Sequence, residues 1–411
     1  MADTDHLPYR KLPLAAAGKG FGLLSGVKVV DVTSSVAGPY ASMLLSDFGA
    51  EVIKVERPEG DDARQWGPPF LDGQALWFTA MNRNKKSVVV DARSEAGKAA
   101  FRKLVSEADV FVTNQPPSVQ RKLGLDYETL RAVRKDLVFV SITGFGLTGE
   151  RADLTCYDLI AEGYSGIMDI TGAADSAPQK IGAPAADMLA GQDAAMAVMA
   201  ALFDRQRSGV GRKIDISMVE SMTRFLSCRI SSYLGSGEVP KRSGGTDSVI
   251  AIYQPFDTAD KPMNLGLGSN PVWARFWEAV GDPAYGADPR FATNADRRVC
   301  RAEIVSHIQD ILKTRSRNAW LDIFAAARVP AGPINQVDEV AHDGELQERG
   351  LFYTLKDEDT GRLVPQIGLG IRIDDEASFA RSAPPELGQH TDEVLGMAVE
   401  TENARETAKN E

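Results

Sequence analysis

The sequence predicts an α/β protein whose larger part is built on a parallel β-sheet. From Gly26 to about Gly146, short runs rich in Val and Ile alternate with segments that have helical spacing of apolar residues. Near-continuous apolar strands separated by helices are typical of a parallel sheet covered on both faces. The chain has 411 residues, of which 43% are hydrophobic, and this is enough for a large core and for two or more domains.

The first predicted unit has the order strand, loop, helix, strand. Its elements are a strand over 27–32, a helix over about 39–48 and a strand over 51–56. Proline at the start of the helix and Gly49 just after its end fit the usual boundary signals. Glu56 at the tip of the second strand suggests a dinucleotide site, but the loop offers only Gly38, followed by Pro39, where three glycines are needed. The sequence therefore predicts a nucleotide-binding fold and disfavours NAD as its ligand.

Further elements continue this alternation, and two joints divide the chain. Strands are predicted over 87–91, 109–113, 137–143, 213–218 and 263–267, and helices over 94–108, 127–133, 186–205, 272–280 and 301–313. A Gly/Ser-rich break over 235–245 and a Pro-Ala-Gly-Pro segment over 330–333 mark the joints. The predicted organisation is a leader (1–25), a large domain (26–234), a small domain (235–330) and a linker that returns to the large domain (331–411).

Composition excludes several classes of function. The net charge of −11 disfavours nucleic acid as a partner. Three scattered cysteines and four separated histidines give neither a disulfide framework nor a metal motif. No uninterrupted apolar run reaches the ~18 residues of a membrane span, and the polar N-terminus does not have the form of a signal peptide. We therefore expect a cytoplasmic enzyme with no membrane partner.

Several segments together resemble the class III CoA-transferases, the family of the formyl-CoA:oxalate, carnitine and 2-methylacyl-CoA enzymes. The segments, in order, are VAGP (36–39), GAEVIKVER (49–57), NRNKKS (82–87), ADV leading to Asn114 (108–114), KLGL (122–125) and GQHTD (388–392). Their order and spacing extend the resemblance from about residue 25 to 397. It implies a large Rossmann-like CoA-binding domain, a smaller α+β domain and an interlocked homodimer, with coenzyme A as a substrate and no tightly bound cofactor.

Asp187 is the candidate catalytic residue. It stands at the start of a long Ala-rich helix, where an Asp usually caps the free backbone N–H groups. The same position favours an ionised carboxylate, which could act as a nucleophile. The resemblance implies the second role, with Ala186 where the family often has glycine. The two roles are compatible.

The resemblance implies covalent chemistry at Asp187. The carboxylate attacks the acyl-CoA thioester and gives an aspartyl acyl anhydride, and the released thiolate then converts it to an aspartyl-CoA thioester. An incoming carboxylic acid reverses these steps and leaves as the new CoA ester. A carboxylate suits this task because an anhydride keeps the reactivity of the thioester and divides one hard step into easier ones.

Contacts to CoA carry over by position. The matching residues are Val36 and Ala37 at the adenine end, Arg57 and Arg93 near the phosphates, Val90, Asn114, Lys122 and Leu123 elsewhere along CoA, and Tyr157 near the pantetheine end. Taken alone, the arginines are equally consistent with surface charges and Val90 with a core position.

Two other functions stay open. Racemases of the same fold place His before Asp in a Gly-His-Asp motif, because proton removal and return need two acid/base groups. Here the corresponding residues are Cys156, Tyr157 and Asp158, and a Tyr of ordinary pKa is a poor proton acceptor, which favours a transferase over a 2-methylacyl-CoA racemase. A non-catalytic CoA-binding protein is the third possibility. Only Gly244 and Gly245 match the glycine-rich loop of the formyl-CoA enzymes, so oxalate and formate are not supported as substrates.

Overall fold

A computed structural model of the chain describes residues 6–15, 18 and 20–396. Part of the predicted leader (1–5, 16–17 and 19) and the end of the predicted C-terminal return (397–411) lie outside the described residues. The strands are β1 (Leu14–Ala15), β2 (Lys28–Val32), β3 (Glu51–Glu56), β4 (Phe70–Leu71), β5 (Gln74–Ala75), β6 (Lys85–Val89), β7 (Val110–Thr113), β8 (Val138–Thr143), β9 (Lys213–Ser217), β10 (Tyr253–Phe256), β11 (Met263–Gly266), β12 (Ala331–Pro333), β13 (Phe352–Lys356), β14 (Leu363–Ile367), β15 (Arg372–Ile373) and β16 (Glu376–Ala377).

The helices connect these strands and cover the sheets. They are α1 (Ala37–Asp47), α2 (Leu76–Met81), α3 (Glu95–Glu107), α4 (Pro117–Leu123), α5 (Tyr127–Val133), α6 (Asp158–Ser165), α7 (Ile167–Ile170), α8 (Ala185–Ser208), α9 (Met218–Phe225), α10 (Ser227–Ser236), α11 (Asn270–Ala279), α12 (Pro283–Gly286), α13 (Asn294–Val299), α14 (Arg301–Leu312), α15 (Arg317–Ala326), α16 (Val337–Ala341), α17 (Gly344–Glu348) and α18 (Thr391–Leu395).

A parallel sheet forms the centre of the larger part of the molecule, as predicted. Within the described residues it has six strands in the order β6-β3-β2-β7-β8-β9, and every adjacent pair is parallel. Numbered along the chain, this order is 3-2-1-4-5-6, and its direction reverses between β2 and β7. In open α/β sheets, ligands bind beyond the carboxyl ends of the strands at such a reversal. The topology therefore directs the search for a site to the loops that follow β2 and β7.

Both faces of this sheet are buried. One face packs on α3, α5 and α18 through a core that includes Val30, Val105 and Phe111. Because side chains alternate along a strand, Asp31 points to the opposite face, where its carboxylate meets Ser42 of α1. α8 also packs on α1 and on β8.

The strand predicted over 87–91 begins two residues earlier, at Lys85. Hydrophobic patterning failed there because the first residue of the strand is a lysine that is buried, with only 1% of its surface exposed.

Gly191 allows α8 to lie close against α1. A Cβ atom at this position would lie 2.6 Å from the backbone oxygen of Ala37 and 3.0 Å from the ring of Tyr40. These separations are shorter than van der Waals contact, so a larger residue would push the two helices apart. The glycine therefore keeps the first turns of α8 beside the N-terminus of α1.

The described residues divide into two compact units. The first comprises those within 1–167, 181–231 and 341–411, and the second comprises 168–180 and 232–340. The second unit contains the predicted small domain, but it also includes 168–180 and continues to Val340. These units are defined by contacts between residues, and the predicted domain boundaries stay predictions.

The second unit has an antiparallel sheet and an aromatic core. Its strands pair in the order β10-β11-β12. Trp273, Phe276 and Trp277 of α11 pack against Phe324 of α15 and Phe291 in a fully or almost fully buried cluster.

The described part of the predicted leader is folded onto the chain. Residues Pro8–Lys11 form a 3₁₀ helix, and β1 pairs in parallel with β13, with Leu14 opposite Thr354.

Of the helices in the described ranges, α8 alone is long and apolar enough to cross a membrane by length and composition. Its most apolar window is 44% buried within the molecule, and the buried core helices of soluble proteins meet the same criterion.

Candidate active site

Asp187 lines a small cavity at the carboxyl end of the sheet. It is the third residue of α8, and its side chain is partly accessible from the cavity, whose volume is about 160 Å³. The other residues that line the cavity come from the loops after β2, β7 and β8, from the end of β8, from the segment before α6 and from the first residues of α1 and α9. They are Ser35, Ala37, Asn114, Pro116, Ile142, Thr143, Gly144, Ala152, Leu154, Thr155, Cys156, Tyr157 and Met218.

The N-terminus of α8 is capped by Asp158 and not by Asp187. One carboxylate oxygen of Asp158 accepts hydrogen bonds from the backbone N–H groups of Ala186 (2.8 Å) and Asp187 (3.3 Å). The residue that precedes the helix, Pro184, makes no side-chain cap. The prediction that Asp187 itself caps the helix is therefore wrong, because an acid from α6 already occupies the free donors. Its side chain is left free to face the cavity.

Asp187 is a weaker acid than an ordinary aspartic acid. Burial, followed by the nearby charge of Asp158, raises its pKa from 3.8 to about 7, and hydrogen bonding from the backbone N–H of Ala37 acts in the opposite direction. We expected the helix N-terminus to keep this carboxylate ionised, whereas a pKa of about 7 leaves it only partly ionised at neutral pH. Loss of water outweighs the helix end here, because a desolvated charge next to a second carboxylate is strongly disfavoured.

Cys156 lies in the same cavity but is held as a thiol. Burial raises its pKa to about 11, and the charge of Asp187 contributes to the rise. Because the thiolate is the reactive form of cysteine, Cys156 is a poor nucleophile at neutral pH. Neighbouring Tyr157 is 62% exposed and forms part of the wall of the cavity.

Side chains from neighbouring segments hold the loop between β2 and α1 beside the cavity of Asp187. Ser35 adopts a positive φ of 71°, and its N–H donates to Asp61 over 3.0 Å. The side-chain amide of Asn114 joins this loop to the one after β7 by accepting from the N–H of Ser34 (3.2 Å) and donating to its carbonyl (2.8 Å). The result is a fixed bridge across the point at which the strand order reverses.

A second and larger cleft lies on the other side of this bridge. Its volume is about 480 Å³, and it is lined by the carboxyl ends of β2 and β3 and by the loops after β6 and β7. Four predicted CoA contacts line it: Arg57, Val90, Arg93 and Leu123. Ser34 belongs to this cleft and Asn114 to the cavity of Asp187, so the two spaces are neighbours.

The two predicted phosphate-binding arginines are paired with acids. Arg57 forms an ion pair with Asp62 and donates to the carbonyl of Gly60 over 2.9 Å. Arg93 donates to Asp91 over 2.9 Å. More than half of each arginine side chain is exposed, so both can exchange these partners for an anion.

The structure thus places the predicted site residues in distinct groups. Ala37, Asn114 and Tyr157 join Asp187, whereas the arginines, Val90 and Leu123 lie in the larger cleft. Val36 is buried at 3% exposure as the residue before α1, and Lys122 is exposed on α4 and lines neither space. The roles of these residues in binding stay predictions.

Sequence reasoning missed Asp158 and Ser35. Asp158 entered the sequence analysis only as part of a departure from the racemase motif. Its role depends on the approach of α6 to α8, for which no local pattern exists. Within the described ranges, no group of three or more His, Cys, Asp or Glu side chains could hold a metal ion.

The raised pKa of Asp187 makes the stability of the protein depend on pH. Between about pH 4 and 7 the folded state binds a proton that the unfolded state releases, so this contribution to stability is lost as pH rises through that range. We expect Asp187→Asn to raise the free energy of unfolding at pH 8 by up to about 4 kcal/mol, and to have little effect near pH 4. Urea unfolding at the two pH values measures the difference.

Asp204 on the same helix is the matched control. Its pKa is lowered by hydrogen bonding to Arg212, so Asp204→Asn should weaken stability at pH 8 and not increase it. Equal effects of Asp187→Asn at both pH values would contradict the raised pKa of Asp187.

Comparisons with known proteins show the family to which this chain belongs. The model of CoA-transferase family III matches residues 24–391. A succinate–glutarate CoA-transferase of Agrobacterium fabrum (strain C58) is 38% identical over 397 residues, which cover 95% of this chain and 96% of that protein. A succinyl-CoA:glutarate CoA-transferase of Mus musculus is 36% identical, with coverage of 90% and 85%. A crystal structure of a CaiB/BaiF family protein from Brucella suis superposes with a TM-score of 0.80 at 38% identity, covering 91% of this chain and 98% of that one. The chain is therefore an enzyme that belongs to CoA-transferase family III.

Proposed function

We propose that this enzyme moves CoA from an acyl-CoA to a free carboxylic acid with Asp187 as the covalent nucleophile. Its relatives support transfer of CoA between acids. The observation that carries the role of Asp187 is its geometry. Asp158 caps the helix in place of Asp187, and the carboxylate of Asp187 lines a small cavity together with Ala37 at the start of α1.

The proposed reaction consists of two matched exchanges. A carboxylate oxygen of Asp187 attacks the thioester carbonyl, the C–S bond breaks, and CoA thiolate leaves behind a mixed anhydride. The thiolate attacks the side-chain carbonyl of Asp187, the donor acid leaves as its carboxylate, and an aspartyl-CoA thioester remains. The acceptor carboxylate then displaces the thiolate, which finally attacks the acceptor acyl group and restores Asp187.

The surroundings of Asp187 suit these steps. A carboxylate with a pKa near 7 is more basic than an ordinary aspartate and is therefore a stronger nucleophile once it is ionised. Each tetrahedral intermediate at its side-chain carbon carries a developing oxyanion. The N–H of Ala37, at the first turn of α1, is the donor that we propose for this charge, because hydrogen bonding from it lowers the pKa of Asp187.

We further propose that the larger cleft binds the nucleotide of CoA in a Rossmann-like domain. The 3-2-1-4-5-6 strand order and the position of the cleft at its reversal support this assignment. The nucleotide would lie beside Arg57 and Arg93, and the pantetheine arm would pass the Ser34–Asn114 bridge to reach Asp187.

A dicarboxylic acid is the acceptor that we propose to test first. The relatives are named for succinate and glutarate, and citramalate and mesaconate occur in the names of more distant ones. Racemase activity is less favoured, because none of the four histidines of the chain lines the cavity of Asp187.

A cytoplasmic homodimer of interlocked chains completes the proposal. Large apolar side chains are exposed on α6, α8 and α9 of the first unit, among them Tyr164 (50%), Met196 (55%), Phe203 (63%) and Phe225 (60%). An exposed apolar surface of this kind usually marks a protein–protein interface.

Removal of the carboxylate of Asp187 should abolish transfer. We expect Asp187→Ala to lose at least about 1,000-fold in kcat, as measured by mass spectrometry of the CoA esters formed from succinyl-CoA and glutarate.

In the wild type, kcat/KM should fall below about pH 7 as Asp187 takes up its proton. Hydroxylamine added with succinyl-CoA should convert Asp187 to a hydroxamate. Asp204→Ala on the same helix serves as the control, and full activity of Asp187→Ala would disprove the nucleophilic role.

The arginines of the larger cleft should affect binding more than chemistry. Arg57→Ala and Arg93→Ala should each raise KM for the acyl-CoA by about 5- to 30-fold, because each loses a charge-assisted contact to phosphate, with kcat nearly constant. Arg102→Ala, on exposed α3 surface outside both spaces, should leave KM as it is. An unchanged KM in both cleft variants would remove the arginines from the CoA site.

Charge placed on the exposed apolar surface should separate the subunits. Phe203→Asp and Phe225→Asp should shift the protein from dimer to monomer in sedimentation at micromolar concentration. Val299→Asp, at a side chain that is 87% exposed in the second unit, is the control and should remain dimeric. A wild type that sediments as a monomer would refute the dimer.

A further inference from the structure

Four charged side chains are buried together beneath the loop of residues 33–39. Asp31 comes from β2, Lys54 from β3, Asp61 from the segment after β3 and Lys85 from β6. Their exposed fractions are 0%, 0%, 4% and 1%. We refer to these four residues as the loop clamp.

Lys54 holds the first end of the loop. Its Nζ donates to the carbonyl of Thr33 over 2.9 Å and forms an ion pair with Asp61 over 2.7 Å. The other carboxylate oxygen of Asp61 accepts from the N–H of Ser35 over 3.0 Å. The positive φ of Ser35 is thus stabilised by a buried acid, which a lysine in turn neutralises.

Lys85 holds the second end of the loop. Its Nζ donates to the carbonyl of Pro39 over 2.8 Å, to the side-chain oxygen of Asn82 over 2.9 Å and to Asp31 over 3.2 Å. Asp31 also accepts from the N–H of Thr33 over 2.9 Å. Both ends of the loop are therefore tied to the sheet by the same group of charges.

We propose that the loop clamp positions the catalytic centre by holding the first turn of α1, and with it Ala37, beside Asp187 in the cavity that both residues line. Ala37 lies in the sequence between Thr33 and Pro39, whose carbonyls bind Lys54 and Lys85, so both ends of the segment that carries it are held. The inference rests on the proposed function, because it assigns the clamp to the same nucleophile. Buried charges are rarely the most stable way to fill a core, which fits a role in positioning.

The titration of Lys85 supports this role. Burial lowers its pKa from 10.5 to about 8, and the charge of Lys54 acts in the same direction, whereas Asp31 and Asp61 oppose the shift. Below about pH 8 the folded protein therefore keeps this charge at a cost in stability, which is relieved as pH rises from about 8 to 10.5. Above pH 8 the neutral amine should hold Asp31 and the loop less firmly.

The test is the pH profile of kcat/KM for wild-type enzyme and for Lys85→Met. The wild type should lose activity below about pH 7 through Asp187 and above about pH 8 through Lys85. Lys85→Met should lower kcat by about 10- to 100-fold, with KM for the acyl-CoA changed by less than about threefold. The variant should not lose activity above pH 8. Its loss of activity at low pH should begin at a higher pH than in the wild type, because Asp187 loses the N–H of Ala37.

Lys86→Met is the matched control. Lys86 is the next residue of β6, but it is partly exposed and pairs with Glu51 and Glu393 at the surface, so its variant should keep the wild-type profile. If Lys85→Met does not fold, the double variant Lys85→Met/Asp31→Asn, which removes both opposite charges, takes its place and should show the same changes.

The outcomes separate this inference from the proposed function. Wild-type enzyme that transfers CoA with no loss of activity between pH 8 and 9.5, or a Lys85 variant that transfers with the wild-type pH profile, would overturn the role of the clamp alone. A wild type with no transfer for any acid pair would overturn the proposed function. In that case the pH at which the stability difference between Asp187→Asn and its parent stops growing still tests the clamp, and that pH should rise in the Lys85→Met background.

Discussion

The buried charges under residues 33–39 hold the loop at the carboxyl end of the sheet, next to the cavity of Asp187. A dinucleotide-binding loop is shaped by glycines, which let backbone approach a pyrophosphate. Here the loop is shaped by side chains beneath it, since Asp31 and Lys85 fix one part and Lys54 and Asp61 fix the other. Gly38 allows the side chain of Thr33 to pack closely, because a Cβ atom at residue 38 would lie 2.3 Å from it. The loop can therefore face an acyl group and still join the larger cleft.

Asp158 and Asp187 lie at the start of α8 in different surroundings. Asp158 binds free N–H groups of the helix, so Asp187 is not the cap and its side chain lines the cavity. The charge of Asp158 also contributes to the raised pKa of Asp187. Raised basicity strengthens a carboxylate as a nucleophile but leaves fewer molecules ionised at neutral pH, so the N–H of Ala37 is needed to limit the rise.

Sequence patterns were sufficient where structure depends on local order. The strands and helices of the parallel sheet follow from runs of Val and Ile and from helical spacing, whereas the catalytic role of Asp187, taken from a family pattern, stays a prediction. The start of β6 failed because Lys85 is a buried charge, which patterning assigns to the surface. Asp158 as the cap, the raised pKa of Asp187 and the pairing of Arg57 and Arg93 with acids all depend on groups distant in sequence, so no local pattern contains them.

The same contacts support our proposal of nucleophilic chemistry over racemisation at this cavity. Racemisation needs one group to remove a proton and a second to return it on the opposite face of the substrate. Among the side chains described around Asp187, Asp158 is engaged by two N–H groups of α8, and burial keeps Cys156 as a thiol with a pKa of about 11. In the proposed mechanism, Asp187 is then the one reactive acid of the cavity. One acid cannot act on both faces of a carbon, but it can form and release an acyl bond on one face.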